Sequence, residues 1–165
     1  MFAHGFTYSG HPLACAVALK TIEIYERIRI VEHVQRMAPI FELRLKALAE
    51  HPLVGEARGV GLIGAVELVR DKDTRESFDP ADGVAAYAGR CAQARGVITR
   101  GMGDAVNLCP PLIITETQVD DLLARIELAL DDTLAWVREK RLGVNRRAEE
   151  RDRTTHANPS RKEVS

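Results

Sequence analysis

Apolar residues recur along most of this chain, and their spacing passes from helical to strand-like and back. Leu13, Ala16, Val17, Ile24 and Ile28 fall near the 3.6-residue period, which predicts a helix over residues 13–30. Pro12 just ahead suits a first helical turn, where its missing N–H would be unpaired anyway. Residues 13–19 hold no charged side chain on any face. A helix apolar all round is normally buried all round, so this half-helix is expected to pack against protein absent from this sequence. A second helix is predicted over residues 31–50, with Val34, Ala38, Phe41, Leu45 and Leu48 on its apolar face. Pro39 inside that pattern predicts a kink or a break.

From residue 54 the character changes. Gly55, Gly59, Gly61 and Gly64 punctuate β-branched residues, and Ala65-Val66-Glu67-Leu68-Val69 reads as a strand. Gly59-Val60-Gly61-Leu62-Ile63-Gly64 matches G-x-G-x-x-G, but no strand–turn–helix unit surrounds it. The expectation is therefore close strand packing or bulges at glycine, not a dinucleotide loop. Asp79 as N-cap and Pro80 as first residue predict a third helix to about Ala94, with Gly96 as its stop. Residues 97–100 read as a short strand, 101–104 as a turn and 105–109 as the return strand. Thr115 with Gln118 matches a capping box. It opens a last helix over residues 116–141, with Val119, Leu122, Leu123, Ile126, Leu130, Leu134 and Val137 on one face and Gly143 closing it. From residue 144 nothing is periodic, and residues 143–165 are expected to be a disordered tail.

Composition narrows the function classes. The hydrophobic share of 45% and charged share of 28% are those of a soluble globular protein. The net charge of −1 argues against nucleic acid or an anionic membrane surface as the main partner. From Arg138 on there are nine basic and five acidic residues, but no aromatic ring to stack on a base. No run is long and apolar enough for a membrane span, and no signal peptide is visible. Cys15, Cys91 and Cys109 are scattered and odd in number, which suits a reducing, cytoplasmic setting.

Candidate chemistry begins in the glycine-punctuated loop His4-Gly5-Phe6-Thr7-Tyr8-Ser9-Gly10-His11-Pro12. It brings hydroxyls and free backbone N–H groups to a helix N-terminus, a place where an anion can sit. Taken alone, Thr7 could equally serve a local turn and Ser9 a helix cap. His11 and Cys15 lie one helical turn apart but suggest no third metal ligand, and read as a loop histidine and a core cysteine. Arg100 ends a short strand, where a surface role in water or in an ion pair is the ordinary one.

The loop, with Ala14, Cys15 and Ala16 after it, resembles a segment of the class III aminotransferases, nearest their ω-amino acid:pyruvate branch. A second segment, Val97-Ile98-Thr99-Arg100-Gly101-Met102-Gly103-Asp104 running into Pro110-Pro111-Leu112-Ile113-Ile114-Thr115, is similar to that family's substrate-carboxylate segment. Arg58-Gly59-Val60-Gly61-Leu62 with Glu67-Leu68 looks like its small-domain strands.

The resemblance covers roughly residues 2–140. It implies an α/β architecture, the C-terminal part of a fold type I pyridoxal-phosphate transferase. Residues 1–50 would end the large cofactor-binding domain, and residues 51–142 would form a small domain with a mostly antiparallel sheet and flanking helices.

The implied activity is transfer of an amino group from an amine or ω-amino acid to an α-keto acid such as pyruvate, with pyridoxal 5′-phosphate as cofactor. Thr7 and Phe6 would reach the cofactor phosphate of a neighbouring subunit, and Arg100 would pair with the substrate carboxylate. Transamination needs a Schiff-base lysine. In the family that lysine lies upstream of the segment matched here, and Lys20, Lys46, Lys72, Lys140 and Lys162 do not sit in the matching place. The chain is therefore expected to be inactive alone, with an N-terminal half or a neighbouring subunit as its partner and a homodimer as the complete enzyme. A non-catalytic dimerisation or binding module, or a degenerate remnant, is the alternative reading.

Overall fold

The computed structural model describes Gly5 and residues 7–142; residues 1–4, Phe6 and the segment 143–165 lie outside the described residues. Helix α1 (Pro12–Ile28) opens on Pro12, as the sequence predicts, with His11 as its N-cap. The His11 imidazole Nδ1 accepts from the Ala14 N–H at 3.5 Å, so His11 rather than Ser9 caps the helix. Helix α2 (Ile30–Ala47) follows directly. Arg29 between them adopts the left-handed region at φ 52, ending one helix and starting the next, while its Nε donates to Glu32 at 2.9 Å. Helix α2 runs through Pro39 without the break that was one of the two expected outcomes there. Buried Phe41 and Leu45, anchored on the sheet below, hold the turns beyond Pro39 in helical register; tertiary packing outweighs the local cost of proline.

The sheet is built from strands β1 (Val54–Val60), β2 (Ile63–Asp71), β3 (Glu76–Ser77), β4 (Arg100–Met102) and β5 (Ala105–Leu108). The order is β1-β2-β5-β4, with β3 beside the far end of β2, and every pairing is antiparallel. The β1–β2 and β4–β5 hairpins turn on two residues each, Gly61-Leu62 and Gly103-Asp104. In both, glycine takes the first central position at φ +61, which L side chains rarely adopt. Gly101 and Met102 thus belong to β4 and not to the turn expected over residues 101–104.

The predicted strand over 97–100 begins only at Arg100, because Val97 completes a helix cap. Helix α3 (Val84–Ala94) ends with Gly96 at φ +82, the Val97 N–H bonding the Ala92 carbonyl at 2.9 Å. The start of α3 also differs from expectation. Asp79 caps Ala81 and Pro80 opens a 3₁₀ turn over Pro80–Asp82, but Gly83 at φ +62 breaks it before the α-helix begins at Val84. Helix α4 (Glu116–Glu139) carries the predicted capping box between Thr115 and Gln118. It closes on Arg141 at φ +55, with Leu142 N–H donating to Val137 at 3.0 Å. The closing role expected of Gly143 lies outside the described residues.

One face of the sheet is buried. Gly64, Val66 and Leu68 of β2 and Val106 and Leu108 of β5 turn toward the helices. Helices α2 and α3 lie on that face and α4 packs on both, closing a core of Phe41, Leu45, Ala92, Ile126 and Leu130. Antiparallel sheets tolerate one uncovered face, and here the opposite face carries Val60, Ile63, Arg58 and Arg100, all exposed.

The G-x-G-x-x-G run resolves as close packing. Gly59 and Gly64 are partners across β1 and β2 and lie directly under Leu45. Helix α1 buries none of its residues; Leu13, Val17, Leu19 and Ile22 are all more than half exposed. That is the surface expected of a helix whose partner is not in this sequence. Cys15, expected in a core, is exposed there too. Among the described residues no helix is long and apolar enough to cross a membrane.

Candidate functional site

Arg100 opens strand β4 at the edge of the sheet. Its strand partner is Asn107 of β5, and the register row continues through Ala65 of β2 to Arg58 of β1. Side chains in one such row share a face, so Arg100 stands on the side of the sheet that carries no helix among the described residues. Six arginines elsewhere find carboxylates, among them Arg44 with Asp120, Arg58 with Glu67 at 2.6 Å, Arg95 with Asp132 at 2.7 Å and Arg125 with Asp121 at 2.9 Å, while Arg27, Arg36, Arg75 and Arg90, like Arg100, form no ion pair among the described residues. Hydrogen bonding to Glu67 holds the Arg58 guanidinium above its ordinary pKa, and Asp120 does the same for Arg44. No carboxylate among the described residues pairs with Arg100. Its guanidinium is a planar five-donor fork open to an incoming anion.

The backbone below Arg100 is tied down. The Asn107 side-chain amide donates to the Arg100 carbonyl at 3.3 Å, and the Thr99 hydroxyl donates to the Asn107 carbonyl. Gly101 abuts helix α3: a Cβ there would meet the Ala85 carbonyl oxygen at 2.5 Å. Thr99 and Asn107 were not singled out from the sequence. The available signal was the asparagine itself, a residue depleted in strands, set between Val106 and Leu108.

Thr7 lies in the exposed turn over residues 7–10 that leads to His11 and α1. Thr7 is exposed, and a Cβ added at Gly5 nearby would meet nothing within 4 Å. Phe6, expected to act beside it, lies outside the described residues. Thr7 and Arg100 belong to different parts of the structure. Thr7 precedes α1, which adjoins α2 at Arg29; Arg100 lies on β4, which packs on α3 and β5.

A cleft of about 750 Å³ opens between the α3–β4 connection and the start of α4, lined by Ile98, Leu108, Pro110, Ile113, Gln118 and Arg125 among others. It contains neither Thr7 nor Arg100. His11 and Cys15 gather no third metal ligand among the described residues. The lysines there are all exposed, and Lys20 is paired with Glu23 at 2.7 Å. None is the desolvated amine that Schiff-base chemistry uses.

Comparison with known proteins identifies the family of the chain. The family model described as aminotransferase class-III matches residues 1–130. Putrescine–pyruvate aminotransferase of Pseudomonas aeruginosa is 47% identical over 137 residues, covering 82% of this chain and 30% of that protein. A mitochondrial gamma aminobutyrate transaminase of Solanum lycopersicum is 44% identical over 138 residues, covering 84% and 27%. Among solved structures, a thermostable omega transaminase from Pseudomonas jessenii superposes with a TM-score of 0.75 at 47% identity. A pyridoxal-phosphate-bound aminotransferase mutant from Vibrio fluvialis does so with 0.76 at 44%. Each of these two covers 82% of this chain and 30% of the solved one. The chain thus spans about 30% of the length of the relatives it matches. With the family model, sequence identity and fold in agreement over most of its length, the chain belongs to the class III aminotransferases.

Proposed function

We propose that this chain is a working portion of an aminotransferase that moves an amino group from an amine or ω-amino acid to an α-keto acid such as pyruvate, with pyridoxal 5′-phosphate as cofactor. The observation that carries the reading is Arg100. It stands exposed on the open sheet face, without a carboxylate partner among the described residues, in the segment where the family resemblance expects a substrate-binding arginine. There it would hold a substrate carboxylate through two parallel N–H···O bonds. Its long stem would let it swing aside for an uncharged amine.

The residues present suit the cofactor at its phosphate end. The exposed Thr7 hydroxyl can donate one hydrogen bond to a phosphate oxygen, and Phe6 would act beside it. When bound, pyridoxal phosphate supplies an electron sink for the carbon that gains or loses the amino group. That Thr7 and Arg100 sit on different parts of the chain suits a reading in which Thr7 serves the cofactor of a neighbouring subunit in a homodimer. The uncovered α1 face supports an assembly of that kind. The Schiff-base lysine is assigned to the remainder of the family fold, of which this chain spans about 30%. The division into a large-domain end over residues 1–50 and a small domain over 51–142 belongs to the same reading. So does a reducing, cytoplasmic setting, supported by free thiols at Cys15, Cys91 and Cys109.

The test is reconstitution. The 165-residue chain is mixed with pyridoxal phosphate and a separately expressed lysine-bearing N-terminal portion, and the cofactor absorbance band and amine-to-pyruvate transfer are followed. Both are expected in the mixture and in neither part alone. A silent mixture with a folded chain overturns the enzyme reading, leaving a binding module whose contact surface is α1.

A further inference from the structure

We infer that Thr99 and Asn107 are positioning residues for Arg100, which clamp the backbone of its strand so that the guanidinium moves while its anchor does not. The inference rests on the reading of Arg100 as the carboxylate-holding residue.

Strand β4 has three residues, lies at the sheet edge and has only β5 beside it. So short an edge strand has few ladder hydrogen bonds to resist fraying. Two side chains add to them at the one place where Arg100 sits. Asn107, directly opposite in register, turns its amide onto the Arg100 carbonyl at 3.3 Å. Thr99, immediately before Arg100, sends its hydroxyl across to the Asn107 carbonyl. The two bonds run in opposite directions between the strands and bracket one residue. Both side chains are half-buried, whereas Arg100 is exposed.

Asn107 interrupts the apolar residues Ala105, Val106 and Leu108, where a β-branched residue would have higher strand propensity. The backbone on the other side of Arg100 is pinned independently, by the contact of Gly101 with Ala85. The mobile part is therefore the side chain alone. A bidentate grip on a carboxylate depends on where the guanidinium plane starts from. An anchored backbone reduces the freedom lost each time the grip closes.

Two measurements test this. In the 165-residue chain, Thr99→Val and Asn107→Leu are each expected to raise amide hydrogen exchange of residues 100–102 about fivefold or more, the size of one net hydrogen bond. Exchange in the β1–β2 hairpin should stay unchanged, and Thr99→Ser should restore the parent rate. In the reconstituted enzyme the same variants are expected to raise KM for a carboxylate substrate about fivefold, with kcat and the KM of an uncharged amine unchanged.

The inference falls if β4 exchange does not move, or if the uncharged amine suffers as much as the carboxylate. Arg100→Ala separates it from the reading beneath it. If that variant leaves carboxylate KM unaltered, the reading of Arg100 fails and takes the clamp with it. If it raises KM while Thr99→Val and Asn107→Leu do not, the clamp alone fails.

Discussion

Gly101 rests against Ala85 so closely that a Cβ on it would come within 2.5 Å of the Ala85 carbonyl oxygen and 2.9 Å of the Ala86 nitrogen. Both are helix backbone, which cannot turn aside as a side chain can. Gly101→Ala must therefore push β4 away from α3. It is expected to cost about 1–3 kcal/mol, the range for overpacking a well-filled site, and to weaken carboxylate recognition by moving Arg100. Gly89 on the same helix supplies the contrast. Its nearest neighbour would be the Gly101 nitrogen at 3.7 Å, an ordinary contact. Gly89→Ala is expected to stabilise by roughly 0.5–1 kcal/mol through helix propensity. Urea midpoints of the two variants should move in opposite directions; movement in the same direction would refute the packing argument.

A similar argument applies under helix α2. A Cβ at Gly64 would meet Leu45 Cδ2 at 2.7 Å and Phe41 Cε1 at 3.1 Å, both side chains. Leu45→Ala alone empties a fully buried site and is expected to cost about 2–5 kcal/mol. Adding Gly64→Ala to it places a methyl in the vacated space, so the pair should be less destabilised than the sum of the singles by about 1 kcal/mol or more. Gly59→Ala should gain no such relief, because its closest obstacle is the Ile63 carbonyl at 2.7 Å. A double-mutant cycle by denaturant unfolding checks both statements.

These glycines show how far the sequence could be read. The absence of a strand–turn–helix unit was enough to discount a nucleotide loop at residues 59–64. Nothing in the residues named Leu45 and Phe41 as what the glycines make room for, because that contact joins elements far apart in the chain. The helices were legible from periodicity and caps: Pro12, the Thr115–Gln118 box and Gly96 all act where local rules place them. Boundaries failed where a single residue took the left-handed conformation unannounced, at Arg29 and Arg141, or where Gly83 cut a 3₁₀ turn from α3. Arg100 and Thr7 came from resemblance to a family and not from local chemistry. The Thr99–Asn107 bonds depend on a strand register that no local pattern fixes.

His51 provides a prediction about pH. It is buried where α2 gives way to β1, with Nδ1 accepting the Leu53 N–H at 3.2 Å. Its Nε2 lies 3.4 Å from the Asp131 carboxylate in a geometry that leaves it without a full hydrogen bond. Burial lowers the imidazole pKa below its ordinary 6.5. Lys72 adds to that, and Asp131 and Glu127 offset it in part. With the folded pKa below the unfolded one, the unfolded chain binds the proton more readily. The stability contributed by neutral His51 is complete above pH 6.5 and is lost as the pH falls through and below that value. His51→Asn keeps an acceptor for Leu53 but does not titrate there. Unfolding midpoints between about pH 7 and pH 5 should fall less steeply for the variant than for the parent; equal slopes would show that another group carries the dependence.

Arg100 itself gives the most direct test of what the open sheet face does. Its guanidinium has no partner to lose among the described residues, so Arg100→Ala should leave the unfolding midpoint within about 0.5 kcal/mol of the parent. In the reconstituted enzyme the same change removes a charged, two-bond contact worth roughly 1.5–3 kcal/mol. It is expected to lower kcat/KM for a carboxylate substrate about 10- to 100-fold. An uncharged amine should be handled as well as before, or better where the arginine no longer stands in its way. Arg100→Lys keeps the charge but loses the planar fork, so it should fall between the two for carboxylates and match the parent in stability. A structural arginine would give the reverse pattern, with stability lost and both substrates affected alike. The ratio of carboxylate to amine efficiency, set beside the unfolding midpoint, therefore separates recognition from support at this one residue.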